Sequence, residues 1–95
     1  MIPKFKAQAG TFESSDIMVL IEPVDEKTGR QIDLSSTVVL QYEEDIKTTI
    51  NQVLDRLEIQ NIHLIAKDKG ALTPTIQARV ETAVKRSLGI QEGTL

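Results

Sequence analysis

The chain has 95 residues, of which 40% are apolar and 3% aromatic; it contains no cysteine and carries a formal net charge of −3. That size suits one aliphatic core and not two, so a single domain over residues 1–95 is expected, with 91–95 as a flexible tail. No disulfide or thiolate metal site is available, no basic stripe invites nucleic acid, and no stretch approaches the roughly 20 apolar residues of a membrane span.

The opening Met1-Ile2-Pro3-Lys4-Phe5-Lys6 lacks the apolar core of a signal peptide, and the expected location is the cytoplasm. Lys4 to Thr11 then alternates, with Phe5, Ala7, Ala9 and Thr11 on one face, as a half-buried strand does. Glu13-Ser14-Ser15-Asp16 interrupts the pattern with turn-forming residues. Ile17 to Val24 is apolar on both faces and reads as a central strand, ended by Pro23. After a polar loop around Thr28-Gly29, Ile32 to Leu40 alternates again. These three strands are expected to form an antiparallel meander.

The period changes next. Ile46, Ile50, Val53, Leu54 and Leu57 recur at helical spacing, and Glu43, Glu44 and Asp45 stand where carboxylates favour the positive end of a helix. A helix over Gln41 to Leu57 follows. Asn61 to Lys67 is a short strand, and Asp68-Lys69-Gly70 is a turn. Thr73 reads as a helix N-cap before Pro74. Ile76, Val80, Ala83, Val84 and Leu88 form the apolar face of a second helix, closed by Gly89. The order β-β-β-α-β-α predicts an α+β fold, a two-layer sandwich of about four strands with two helices on one face.

Catalytic machinery is not legible. The chain has no glycine-rich nucleotide loop and no nucleophile elbow, and its lone histidine, His63, reads as a surface or packing residue. Arg79, Lys85 and Arg86 read as surface and helix-end charge, and the acids of the first helix as a solvated face. No catalytic or metal-ligating residue is assigned. From composition alone Glu13-Ser14-Ser15-Asp16 is a turn; a hairpin serine held by a sheet is also accessible to a modifying enzyme.

The run Ala9-Gly10-Thr11-Phe12-Glu13-Ser14-Ser15-Asp16-Ile17-Met18 resembles the N-terminal signature of the citrate lyase acyl carrier proteins, the gamma chains. The likeness continues through Ser36 to Tyr42 and returns at Asp68-Lys69-Gly70-Ala71-Leu72 and Ala78-Arg79-Val80-Glu81. Thr73-Pro74 after Leu72, and Gln41-Tyr42-Glu43, depart from the family pattern at helix starts. The resemblance implies that Ser14, rather than Ser15, carries 2'-(5''-phosphoribosyl)-3'-dephospho-coenzyme A through a phosphodiester, with Glu13 and Asp16 as flanking recognition residues, Glu13 ahead of Asp16, for which turn stabilisation is an equal alternative. It implies acetyl and citryl thioesters on that arm, citrate cleavage to acetate and oxaloacetate by the alpha and beta chains, and a carrier that is itself non-catalytic. The implied partners are those chains, a prosthetic-group transferase and an acetylating ligase, with neither nucleic acid nor membrane. The carrier subunit of malonate decarboxylase and a small adaptor without a prosthetic group are the alternatives. A helical phosphopantetheine carrier is not, because Asp33-Leu34-Ser35 has the wrong order and lies in an expected strand.

Overall fold

The computed structural model describes residues 1–37 and 41–90. Four strands, β1 (Ala7–Ala9), β2 (Ile17–Glu22), β3 (Arg30–Ser36) and β4 (Ile62–Asp68), form one sheet, with helices α1 (Gln41–Arg56) and α2 (Thr73–Ser87). The α+β fold and the order β-β-β-α-β-α are as the sequence implies.

The meander is not. The strands lie in the order β1-β2-β4-β3, so β4 separates β2 from β3. β2 is antiparallel to β1 and β4, whereas β3 runs parallel to β4. The reason is visible in the side chains. β2, apolar on both faces from Ile17 to Ile21, and β4, whose Ile62, Leu64 and Ala66 are fully buried, take the two inner positions, while β3, only half-buried on its covered face, sets Gln31, Asp33 and Ser35 outward and takes an edge. A parallel β3–β4 pair needs a long crossover, and α1 supplies it.

Ile17, Val19 and Ile21 of β2 stand opposite Asp68, Ala66 and Leu64 of β4, which puts all six on one face. Ile46, Ile50, Val53 and Leu54 of α1 and Ile76, Val80, Ala83 and Val84 of α2 bury against that face with Ile59 and Ile62. These are the positions that helical spacing singles out.

Several boundaries move for local reasons. β1 is shorter than Lys4–Thr11 because the amides of Lys4 and Phe5 donate to the Ser87 carbonyl at the end of α2, at 2.8 and 2.9 Å, and not to a sheet ladder. Phe5 is accordingly 56% exposed and does not join the core. β3 begins early, at Arg30, whose side chain bonds the Ile59 carbonyl at 2.8 Å and Asp55 at 2.8 Å. The expected continuation through Val38 and Leu40, and the expected flexible tail 91–95, lie outside the described residues. α1 ends one residue early, where Glu58 turns left-handed (φ 58°) and the Ile59 amide reaches back to the Leu54 carbonyl at 2.9 Å. Thr73 is not the N-cap of α2. Leu72 holds that position without a side-chain cap, its carbonyl accepting from Thr75 and Ile76, and Pro74 falls in the first turn where its missing amide costs nothing. Gly89 (φ 79°) closes the helix as expected.

His63 lies on the open face of the sheet, with Nε2 2.7 Å from Asp33 Oδ2 and Nδ1 3.3 Å from Glu22 Oε2. The Asp33 hydrogen bond raises its pKa above 6.5; partial burial opposes this, and the charges of Asp33 and Glu22 add to it. A raised folded-state pKa means that the pair's stabilisation is full below 6.5 and is lost as pH rises through the folded value. Denaturation midpoints should therefore fall as pH rises from 6.5 through the folded-state value, by the equivalent of roughly 0.5–1 kcal/mol, and His63→Gln should flatten that dependence. An unchanged slope in the variant would show that other groups set it.

Candidate functional site

The segment between β1 and β2 is fixed at both ends by backbone geometry. Gly10 has φ 92°, and a Cβ built there would meet the Ile17 carbonyl oxygen at 1.8 Å. No other residue fits without moving β2. Gly10→Ala should cost about 2–4 kcal/mol, from a left-handed residue plus displaced backbone, read as a lower urea midpoint with unchanged slope. A cost near zero would mean that the close approach does not exist in solution.

Beyond Gly10 the chain makes a short loop. Thr11 Oγ1 accepts from the Glu13 amide at 3.2 Å, and the Glu13 carbonyl accepts from the Asp16 amide at 3.2 Å. Ser15 adopts φ 66°, which swings the chain back into β2. Its amide donates to the Lys69 carbonyl at 2.8 Å, and the Lys69 amide donates to the Asp16 carbonyl at 2.9 Å. These two bonds extend the β2–β4 ladder past its last rung, Ile17 to Asp68, and tie the loop to the connection between β4 and α2.

Asp16 holds the loop from inside. Its residue is 9% exposed, so the carboxylate is turned toward the protein. Oδ1 accepts from the Ile17 amide at 2.7 Å and from Arg79 Nε at 3.1 Å; Oδ2 accepts from Thr11 Oγ1 at 2.7 Å and from Arg79 Nη2 at 3.1 Å. Arg79 thus grips both oxygens in the forked geometry that strengthens such pairs. Burial by itself would raise the Asp16 pKa. The hydrogen bonds from Thr11, Arg79 and the Ile17 amide, together with the Arg79 charge, outweigh it and leave the pKa below the ordinary 3.8.

With Asp16 turned inward, Glu13, Ser14 and Ser15 are left exposed at the tip. Among the described residues nothing is hydrogen-bonded to the Ser14 hydroxyl, so it stands free on a loop whose backbone is tied down on both sides. Beside it Phe12 is 53% exposed, with Lys67 Nζ 5.8 Å from its ring centroid. The turn after β4 is built by Asp68, which is 2% exposed and accepts from the amides of Gly70 and Ala71 at 3.1 and 3.0 Å and from Ser36 Oγ at 2.9 Å.

The other sequence candidates lie elsewhere. His63 sits in the rung with Glu22 and Gln31, at the opposite end of the sheet from Ser14, so the two form no nucleophile–base pair. Arg79, Lys85 and Arg86 do not form one cluster: Arg79 serves Asp16, Lys85 lies 3.5 Å from Glu81, and Arg86 bonds the Gln8 carbonyl at 2.7 Å. Among the described residues no group of three or more His, Asp or Glu could hold a metal ion, and no helix is long and apolar enough to cross a membrane. Sequence reading missed two anchors, Arg79 and Asp68. Arg79 meets Asp16 across 63 positions, a pairing that local periodicity does not carry.

A family model described as malonate decarboxylase delta subunit (MdcD), an acyl carrier protein family, matches residues 4–87. A protein of Latilactobacillus sakei named citrate lyase acyl carrier protein is 49% identical over 90% of this chain and 83% of its own length. Proteins of the same name are 42% identical in Edwardsiella ictaluri, over 85% of this chain and 82% of the relative, and 43% identical in Treponema denticola, over 88% and 93%. Among solved structures, a chain of a Pseudomonas malonate decarboxylase hetero-tetramer in complex with malonate superposes with a TM-score of 0.72, covering 90% of this chain and 87% of that one. Its identity is 19%, so it bears on the fold alone.

Proposed function

Because the chain belongs to the family of citrate lyase acyl carrier proteins and malonate decarboxylase delta subunits, non-catalytic carriers that bear a prosthetic group and work with enzyme subunits, we propose that it is the acyl carrier subunit of a citrate lyase, with its arm on Ser14. The observation that supports attachment at this tip is its exposed serine hydroxyls on a clamped loop, and the resemblance of Glu13-Ser14 to the family signature favours Ser14 over Ser15. The relatives named citrate lyase acyl carrier protein, at 42–49% identity, carry the choice of parent complex.

The residues present fit a covalently attached arm. Ser14 is exposed, its hydroxyl is free of described partners, and its backbone neighbours are fixed by the bonds to Lys69 and by Asp16. The proposed group, 2'-(5''-phosphoribosyl)-3'-dephospho-coenzyme A, would supply the thiol that this cysteine-free chain lacks and would carry acetyl and citryl groups as thioesters. The chain's own contribution is mechanical. Arg79 neutralises Asp16, Asp16 secures the loop, and the loop presents Ser14 away from the core. A substrate tethered there meets each catalytic subunit at an effective concentration of roughly millimolar without dissociating. Glu13, exposed beside Ser14, is the residue placed to be read by a prosthetic-group transferase. The alpha and beta chains of citrate lyase and an acetylating ligase complete the proposed partners.

Reconstitution tests the parent complex. Arm-bearing, acetylated protein mixed with citrate lyase alpha and beta chains should support oxaloacetate formation from citrate. Support of malonate decarboxylation instead, with malonate decarboxylase subunits, would assign the chain to that complex, the second reading, which the description of the matching family model favours.

A further inference from the structure

A groove of about 380 Å³ opens between the first turns of α1 and α2, walled by Tyr42, Ile46, Thr49, Ala71, Leu72 and Ile76. Two of these are large and exposed at its edge: Leu72 is 73% and Tyr42 50% exposed. The volume falls within the range of sites that take small organic ligands. The attachment loop and the groove share their foundations. Asp68 and Gly70 line the groove, and Lys69 between them exchanges backbone hydrogen bonds with Ser15 and Asp16. On α2, Ile76 lines the groove while Arg79, three positions on and so a neighbour on the helix surface, grips Asp16. Ser14 is therefore planted at the groove's own end of the molecule, by the β4–α2 connection and α2, which build one of its two walls.

We propose that this groove is the resting site of the flexible, thiol-ended arm carried by Ser14, holding the arm against the carrier between visits to the catalytic subunits. The inference rests on the reading of Ser14 as the attachment point. The occupant follows from the setting. A pantetheine-type arm is an alternation of apolar links and amides, and the groove offers Ile46, Ala71, Leu72 and Ile76 as apolar wall with the hydroxyls of Tyr42 and Thr49 among them. Of the polar groups there, the Asp68 carboxylate is already engaged by Ser36 and the amides of Gly70 and Ala71, and Thr49 Oγ1 donates to the Asp45 carbonyl at 3.0 Å, which leaves, with the Tyr42 hydroxyl, the Asp45 carboxylate and the Thr73 hydroxyl at the rim as partners for the arm's amides. A covalently held ligand also needs little intrinsic affinity, because the tether supplies its concentration. Docking removes the thiol or thioester from water and from adventitious reaction, while a weak site releases the arm readily to an enzyme.

The test uses the arm-bearing protein and two readouts independent of lyase activity. Intact mass and peptide mapping first place the arm on Ser14. The rate of thiol alkylation by a maleimide is then compared among the native sequence, Leu72→Glu, which charges the rim of the groove at an exposed position, and Phe5→Ser, a control at the far end of α2. If nine arms in ten are docked, the thiol should react about tenfold slower in the native sequence and in Phe5→Ser than in Leu72→Glu. Amide NMR shifts between arm-free and arm-bearing protein should concentrate at Tyr42, Thr49, Ala71, Leu72 and Ile76. An arm mapped to Ser14 whose thiol reacts equally fast in all three proteins, with no shifts in the groove, would overturn the docking proposal and leave the carrier reading standing. An arm mapped to another residue, or none in the presence of active attachment enzymes, would overturn both.

Discussion

Alanine at position 14 should leave the protein folded and abolish its function as a carrier. Ser14 is exposed and makes no described hydrogen bond, so Ser14→Ala should change stability by no more than about 0.5 kcal/mol. The mass gained from the attachment enzymes should vanish. Citrate cleavage by the reconstituted complex should fall by on the order of 10²–10⁴-fold, the advantage that a tether confers over a free substrate. Ser15→Ala is the matched control. Ser15 is also exposed, but its left-handed backbone and its amide bond to Lys69 give it a place in the loop's architecture that does not depend on its hydroxyl. It should keep the mass increment and the activity. Loss of both in Ser15→Ala with retention in Ser14→Ala would exchange the two roles.

The second large effect lies in the clamp. Asp16→Ala removes the acceptor of four hydrogen bonds, from Thr11, the Ile17 amide and two nitrogens of Arg79, and leaves those donors with nothing in its place. Breaking a fully buried pair costs about 3–5 kcal/mol. Here the Arg79 side chain is 39% exposed against 12% for Asp16, so solvent screens part of the loss and about 2–3 kcal/mol is expected. For a domain of this size that is a drop in Tm of roughly 10–20 °C. Arg79→Ala should cost less, since Thr11 and the Ile17 amide still serve the carboxylate. The sign of the pH dependence follows from the depressed pKa. Asp16 contributes its stability above the ordinary carboxylate value of 3.8, and the contribution is lost as pH falls through the lower folded-state value. Native protein and Asp16→Ala should therefore differ most near neutrality and converge as pH falls below the depressed folded-state value. A constant difference down to and below that value would mean that the substitution acts by packing and not through the carboxylate's charge. Both variants should also slow arm attachment, because the loop that presents Ser14 is no longer held.

Much of this architecture was legible in the residues themselves. The helical spacing of Ile46, Ile50, Val53 and Leu54, and of Ile76, Val80, Ala83 and Val84, marks the two buried faces because a helix has a fixed period. The continuous apolar run Ile17 to Ile21 marks an inner strand, though not which of its faces the helices cover. Strand order was not legible. Alternation shows which face of a strand is covered and says nothing of its neighbour, so it does not reveal that β4 lies between β2 and β3. The core-side position of Asp16 was hidden likewise. An acidic residue in a turn ordinarily caps local backbone, and only the tertiary approach of Arg79 from α2 makes this one an internal anchor. Thr73 before Pro74 has the form of a helix cap, yet the Leu72 carbonyl already accepts the first amides, and the threonine falls inside the first turn.

The central claim is that Ser14 bears the arm, and one measurement meets it directly. The protein is produced together with active citrate lyase attachment enzymes, its intact mass is taken, and the peptide spanning Gly10 to Met18 is fragmented. A single increment matching phosphoribosyl dephospho-coenzyme A, localised to Ser14, is the predicted result. An unmodified chain, from a preparation in which the same enzymes modify an established carrier, would contradict it and leave an adaptor without a prosthetic group as the better description.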